Sequence, residues 1–288
     1  MKISVVIATK DRAALLGGAL ASLRAQDGAP DYELIVVDNG SSDATPSVAR
    51  EHGADYAFVA EPNRGKARNA GIARATGEIV AFVDDDVVVP PHFLAARAKA
   101  HDAEIFPVAV SGPIVNVPDP AHRPKPTAAN VSRAFFVTCN VSVRTSSLRA
   151  VGGFDEAFDL YGWEDTELGA RLRAHGVRRV FAWDAYLWHI KPPTPESLED
   201  ALGKAIEKAR MAARFVGKMP TPRVRLATGA YGPNLVRARV LNPGFLQPFY
   251  AGLASSPRVP ALVAQLARGA LLDSVYTEEL DRQLRRKR

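Results

Sequence analysis

Four short apolar runs, each followed by a helix-like stretch or a polar loop, most constrain what this chain can fold into. Residues 3–8, 33–37, 56–59 and 78–83 read as strands, most of them rich in β-branched side chains, and residues 12–25, 44–52 and 65–75 between them read as helices. Buried strands alternating with helices predict a mostly parallel α/β sheet with helices on both faces. Ligands in such sheets bind beyond the carboxyl ends of the strands. The residues at those exits therefore matter most. They are Thr9-Lys10-Asp11-Arg12, Asp38-Asn39-Gly40-Ser41-Ser42-Asp43, Glu61-Pro62-Asn63-Arg64-Gly65 and Asp84-Asp85-Asp86.

Asp, Asn, Ser and Gly at such exits also cap helices and make turns, and Asp43 suits a helix N-cap. Three successive aspartates exceed what a turn needs, and their mutual repulsion requires a cation. In an extended segment the first and third side chains share a face. Asp84 and Asp86 are thus expected to face one ligand while Asp85 turns away or bonds locally. Hard oxygen ligands suit Mg²⁺ or Mn²⁺, which keep open positions for phosphate oxygens. A nucleoside diphosphate leaving group would use that charge.

After residue 106 the pattern changes. Residues 107–117 and 135–144 read as strands with no full crossover helix between them, and the four prolines in 118–126 predict a loop. Trp163-Glu164-Asp165-Thr166-Glu167-Leu168 opens a helix running to about residue 175 and ended by Gly176, with short strands at 178–182 and 186–188. Leu168 and Leu172 follow Asp165 by three and seven positions, which puts Asp165 near the buried side of the first turn. The helix macrodipole accounts for Glu167 and can account for Glu164. A carboxylate at Asp165 could instead accept a proton from a hydroxyl nucleophile. His189 ends the last short strand; a lone histidine is more often structural than a ligand.

In this order and spacing the motifs resemble an inverting family 2 glycosyltransferase of the GT-A (Rossmann-like) fold. The likeness runs from Lys2 to Lys191. It rests on the exits above, on Ala67-Arg68-Asn69-Ala70-Gly71, on Thr138-Cys139-Asn140-Val141-Ser142, on Gly152-Gly153-Phe154-Asp155 and on Glu164-Asp165-Thr166-Glu167-Leu168. The resemblance implies that Thr9, Asp11 and Asp38 hold the base and ribose, and that Arg68 or Asn69 lies near the sugar-phosphate pocket. Arg12, Asn39, Asn63 and Asp85 fall on the donor side. Asp84 would contact the ribose, and Asp86 would bind Mn²⁺ or Mg²⁺ with His189 completing the coordination. Asp165 would be the base, with Glu164, Trp163 and Asn140 around the acceptor and sugar. The implied donor is a nucleotide sugar, most commonly UDP-linked; neither the sugar nor the acceptor is specified.

Other classes fit less well. No Gly-x-Gly-x-x-Gly follows the first strand and no Gly-x-x-x-x-Gly-Lys-[Ser/Thr] loop is present, which argues against a nicotinamide dehydrogenase and a P-loop NTPase. A nucleotidyltransferase would want a glycine-rich loop where Thr9-Lys10-Asp11-Arg12 stands. A non-catalytic sugar-binding module would be expected to lack Asp86 or Asp165.

The net charge of +6 divides unevenly. Residues 1–195 carry 21 Lys and Arg against 23 Asp and Glu, and residues 196–288 carry 16 against 8. The whole-chain figure therefore gives no reason to expect nucleic acid. The main boundary is expected at Pro192-Pro193-Thr194-Pro195, with residues 1–195 as the GT-A domain (1–106 for the donor, 107–195 for the acceptor) and 196–288 as a basic helical extension. Residues 196–217 and 259–272 read as amphipathic helices. The tail 282–288, with five basic residues, reads as a solvated terminus or an attraction to anionic lipid. One cysteine, no signal-peptide core and no apolar run of about 20 residues suit a cytoplasmic protein, peripheral at a membrane at most.

Overall fold

The computed structural model describes residues 1–191 and 196–286. The expected boundary at 192–195 and the last two residues of the basic tail lie outside them. The chain divides into two compact units, one formed by Met1–Asp159 with Glu164–Pro193 and the other by Leu160–Trp163 with Thr194–Arg288.

The first unit is built on a seven-stranded sheet. Its strands are β1 (Ile3–Thr9), β2 (Tyr32–Asp38), β3 (Asp55–Phe58), β4 (Ile79–Val83), β6 (Val108–Ser111), β8 (Asn140–Arg144) and β9 (Arg178–Phe181), in the spatial order β3-β2-β1-β4-β8-β6-β9. Strands β3, β2, β1 and β4 run parallel, β8 is antiparallel to both β4 and β6, and β9 is parallel to β6. A second sheet joins β5 (Val87–Val88), β10 (Leu187–Ile190) and β7 (Ile114–Val117) in that order.

Side chains alternate faces along each central strand, and both faces are buried. Ile3, Val5 and Ile7 pack with Leu16, Leu20 and Leu23 of α1 (Ala13–Arg24), Ala49 of α2 (Thr45–Glu51), and Phe93 and Leu94 of α4 (Phe93–Asp102). On the opposite face Val6, Val80 and Phe82 pack with Ala67 and Ile72 of α3 (Arg64–Arg74), Leu148 of α5 (Thr145–Ala150), and Leu168 and Leu172 of α6 (Glu164–Ala174). This is the expected α/β architecture of a mostly parallel sheet between helical layers.

Several details of this unit differ from the sequence reading. The run 107–117 is two strands in two sheets, broken at Gly112-Pro113, and only Asn140–Arg144 of 135–144 is a strand. At the break a Cβ on Gly112 would lie 1.9 Å from the Ala185 carbonyl oxygen. Only a residue without a side chain lets the chain cross there. Helices α4 and α5 have no counterpart in the sequence reading.

The second unit is helical: α7 (Leu198–Lys218), α8 (Pro222–Thr228), α9 (Gly232–Leu241), α10 (Gln247–Ser255) and α11 (Ala261–Arg286). Ser197 caps α7 by accepting from the Asp200 amide at 3.0 Å. Helix α11 continues well past the expected end at 272. Residues 282–286 are therefore not a frayed terminus: Arg285 pairs with Asp281 at 3.1 Å and Arg282 pairs with Glu279. None of the helices described is long and apolar enough to cross a membrane.

Candidate active site

Parallel pairing brings the carboxyl ends of β2, β1 and β4 side by side, with Thr9 opposite Asp38 in register. Asp38 is fully buried and doubly held: Oδ1 accepts from the Ser41 amide at 2.7 Å and Oδ2 from the Tyr56 hydroxyl at 2.8 Å. Asp11 sits in the left-handed region at φ 51°. It is pinned to the second exit loop, with Oδ1 accepting from the Ser42 amide at 2.7 Å and its own amide donating to Ser41 Oγ at 2.9 Å. Asn39 Oδ1 accepts from the Asn63 amide at 2.8 Å, and Asn63 caps α3 by accepting from the Lys66 amide. Asn69 braces a neighbouring turn, bonding the Phe154 amide and carbonyl and Glu156 Oε1.

The aspartate triplet is not an extended run: Asp85 and Asp86 lie in a turn and share the Arg12 guanidinium. Asp85 turns inward, accepting from Thr9 Oγ1 at 2.7 Å and from Arg12 at 3.0 Å. Burial outweighs these partners and raises its pKa. Asp84 is about one-third exposed, with Arg68 Nη2 4.0 Å away. Asp86 accepts from Arg12 at 3.0 Å through Oδ2, while its Oδ1 lies 2.9 Å from His189 Nε2. Burial works against the Asp86 charge, but His189, Lys191 and Arg12 outweigh it and hold the carboxyl below its usual range.

His189 is aimed from its other side. Nδ1 lies 3.1 Å from Asn116 Oδ1, directly across the β7–β10 ladder. With a hydrogen on Nδ1 this contact orients the ring, and Nε2 is then available as a ligand atom beside Asp86. Asp86 Oδ1 is buried and makes no well-aligned hydrogen bond despite its closeness to the ring. At 2.9 Å Asp86 Oδ1 and His189 Nε2 are spaced as neighbouring ligands of one cation, and a nitrogen with hard oxygens suits Mn²⁺ or Mg²⁺. One ligand atom each from Asp84, Cys139 and His189 also fall within 4.8 Å of one another. Burial, with Asp84 and Asp86 nearby, raises the Cys139 thiol well above its ordinary range.

The acids of α6 reach this group through Arg68. Its Nη1 donates to Glu164 Oε1 at 3.2 Å and its guanidinium stacks over Phe154 at 5.5 Å. Asp165, the next residue, is half-buried, and its Oδ1 accepts from the Thr166 amide at 2.7 Å. Burial first, then the Glu164 charge, pushes it up to about 6, against the pull of Arg68 and the Thr166 hydrogen bonds. Glu167 is fully buried and serves the packing of α6, gripping Arg171 bidentately at 2.8 and 2.7 Å. Trp163 has φ 74° and belongs to the second unit, where its Nε1 donates to the Lys208 carbonyl at 3.0 Å. There it lines an open groove of about 490 Å³ with Lys208, Tyr231 and Tyr276.

One expectation is corrected. Asn140 is 1% exposed, and its Nδ2 donates to the Pro113 and Ala185 carbonyls at 3.0 and 3.1 Å. Its Oδ1 accepts from Arg97, so its amide is tied into the interior and does not face a sugar. Sequence reasoning passed over that buried network. Arg97 of α4 also donates to Ser142 Oγ at 2.9 Å, with His101 3.0 Å from the same hydroxyl. It likewise passed over Tyr56 and Asn116, which hold Asp38 and His189. The strand register of β2 and β3 could have pointed to Tyr56. Asn116 meets His189 across 73 positions of sequence, and no local pattern carries that.

Residues 4–154, which span most of this geometry, match the family model described as "Glycosyl transferase family 2". The chain belongs to glycosyl transferase family 2. Residues 125–191 also match "N-terminal domain of galactosyltransferase". Validoxylamine A glucosyltransferase of Streptomyces hygroscopicus subsp. limoneus is 31% identical over 263 residues, 76% of this chain and 57% of that protein. Chondroitin synthase of Escherichia coli is 26% identical over 71% of this chain and 37% of its own length. The chain thus spans little more than half of the glucosyltransferase.

Among solved structures, the mannosyltransferase PcManGT from Pyrobaculum calidifontis, in complex with GDP-Man and Mn²⁺, superposes with a TM-score of 0.62 at 22% identity. It covers 99% of this chain and 87% of that one. S. aureus TarS 1–349 in complex with UDP-GlcNAc gives a TM-score of 0.58 at 20% identity, over 98% of this chain and 91% of that one. This family 2 glycosyltransferase therefore has the GT-A fold.

Proposed function

We propose that this family 2 chain moves a sugar from a nucleoside-diphosphate sugar, UDP-linked by preference, to an acceptor hydroxyl with inversion at the anomeric carbon, using Asp165 as the general base. The observation that carries this reading is the Arg68 bridge. One guanidinium lies between Asp84 of the strand-exit triplet and Glu164, the neighbour of Asp165. Donor-side and acceptor-side carboxylates are thereby gathered around one cation within one unit. The complexes of PcManGT with GDP-Man and Mn²⁺ and of TarS with UDP-GlcNAc support a nucleotide-sugar donor.

In this reading residues 1–106 serve the donor, 107–195 the acceptor, and 196–288 form the basic extension. Asp11 and Asp38, fixed by the 41–42 loop and Tyr56, line the exit where base and ribose would rest, and the partly exposed Asp84 would meet ribose hydroxyls. Thr9 and Arg12 orient Asp85 and Asp86. Asp86 and His189 would hold a divalent cation, which supplies charge neutralisation to the diphosphate. Arg68 would add positive charge beside the sugar phosphate, and Asn69 would act indirectly, by fixing the 154–156 turn. Trp163 would border the acceptor. Asp165 takes the acceptor proton as the acceptor oxygen bonds to the anomeric carbon from the face opposite the diphosphate. The bond to the diphosphate oxygen breaks, and its electron pair leaves with the nucleotide.

The test is release of nucleoside diphosphate from a panel of nucleotide sugars by the full chain with Mn²⁺, followed by acceptor transfer with the active donor. Asp165→Asn is expected to lower transfer by about 10²–10⁴-fold while nucleotide affinity stays unchanged. An equal loss of donor affinity would remove Asp165 from the role of base.

A further inference from the structure

Between Glu207 and Asp273 the chain has no acidic residue: residues 208–272 carry ten Lys and Arg and no Asp or Glu. That stretch also holds most of the large exposed apolar side chains of the second unit. Val240, Leu241, Phe245, Phe249, Leu262 and Leu266 are each between 60% and 80% exposed. They come from the end of α9, the turn after it, α10 and the first turns of α11. Three of those elements meet at an open groove of about 700 Å³, walled by Leu241, Tyr250, Leu262 and Leu266. The rings of Phe249 and Tyr250 stand 6.0 Å apart beside it.

Several cations of this stretch are already engaged, Arg210 with Glu279 at 2.8 Å among them. Arg237 and Arg239 are neutralised by Asp273 and Asp281 at 3.2 and 2.6 Å, and Arg268 donates to backbone carbonyls. Among the described residues, Arg223, Arg225 and Arg258 have no carboxylate partner. Arg258 stands four residues before Leu262.

We propose that the 236–266 surface of the helical unit docks on an anionic lipid bilayer, its phenylalanine and leucine side chains entering the headgroup–acyl boundary and the unpaired Arg258 meeting lipid phosphates. Isolated exposed apolar residues need no explanation, but a group of six on short consecutive elements does. The one acid that lines the groove, Asp273, is neutralised by Arg237, and residues 208–272 add no other; that selects an anionic partner, and the apolar tips select one with a hydrocarbon depth to enter. A second copy of this chain fits poorly, because a two-fold contact would set this cationic surface against itself. The basic end of α11, with Arg282 and Arg285 held in ion pairs, is not needed for the contact.

The test is co-sedimentation of the full chain with vesicles of equal parts phosphatidylglycerol and phosphatidylcholine, beside vesicles of phosphatidylcholine alone. Binding is expected to the anionic vesicles. It should be about tenfold or more weaker to neutral vesicles and in about 1 M salt, where the screening length falls to ~3 Å. F245A/F249A should weaken partition by about tenfold or more and R258Q by about fivefold, since every buried ring and every lipid-facing cation contributes. All altered side chains are exposed, and unchanged thermal unfolding and nucleotide binding would show that the variants fold. Phe245→Trp should add blue-shifted, acrylamide-protected emission only with anionic vesicles. No binding to anionic vesicles, or equal binding by wild type and F245A/F249A, overturns the proposal. So does a wild-type dimer that F245A/F249A breaks without any vesicle binding.

Discussion

Asp165 carries two opposed consequences of one environment. Its carboxyl is raised to about 6 by burial and by Glu164, so at neutral pH it is ionised and more basic than an exposed aspartate. Transfer by the wild-type protein is expected to fall about tenfold per pH unit well below pH 6, as the base becomes protonated. A pH profile of kcat/KM checks this; a profile that stays flat down to about pH 4 would exclude Asp165 as the titrating base. The same shift bears on stability. A folded-state pKa above the unfolded value of about 3.9 means that the folded protein binds this proton more tightly. The stability so gained is present below about pH 4 and is lost as pH rises through 6. Asp165→Asn cannot ionise and keeps an acceptor for the Thr166 amide. It is therefore expected to unfold at a higher temperature than wild type at pH 7.5, with the gap closing toward pH 4. Calorimetry at both pH values measures it, and a variant less stable at pH 7.5 would contradict it.

At the scale of elements, what could be read from sequence was what local pattern encodes. Residues 3–8, 33–37 and 78–83 announce buried strands by their β-branched runs, and the polar exits at Asp38 and Asp84 follow from parallel pairing. The small sheet of β5, β10 and β7 joins segments of two to four residues from three distant parts of the chain. No periodicity could have assembled it, nor the Asn116–His189 contact it makes. Asn140 sits in a motif-like setting, yet strand pairing turns its amide inward to Arg97, Pro113 and Ala185. Helix α4 went unread because it hides a fully buried arginine, held by Ser142, Asn140 and the Phe93 ring, where an apolar stripe would be expected.

Gly112 tests the junction between the two sheets. An added Cβ would overlap the Ala185 carbonyl, which is backbone and also accepts from Asn140. Gly112→Ala is expected to cost about 1–3 kcal/mol or more, and unfolding should fall by several degrees. Gly18→Ala is the contrast, on an exposed turn of α1 with nothing within 4 Å of the new methyl. It should stabilise by about 0.5–1 kcal/mol. Thermal melts showing equal effects at both positions would remove the close approach as the reason for glycine at 112.

At the scale of the whole molecule, the charge division and the division into units coincide in meaning. The slightly acidic unit holds every candidate donor-site residue from Thr9 to His189, and only Trp163 belongs to the helical one. A ligand stabilises the body that it binds, by about 2.7 kcal/mol at a hundred times its Kd. Saturation with UDP and Mn²⁺ is therefore expected to slow hydrogen exchange in that unit by up to about a hundredfold at its most protected amides. The slowing should centre on the exits of β1, β2 and β4, the start of β8 and the first turn of α6, while α9, α10 and the first turns of α11 exchange as before. Mn²⁺ omitted, or chelated, should remove most of the protection if Asp86 and His189 hold the cation. Protection of equal size in α9 and α10 would instead assign the helical unit a direct part in donor binding, and its basic, apolar surface would then owe its composition to the nucleotide rather than to lipid.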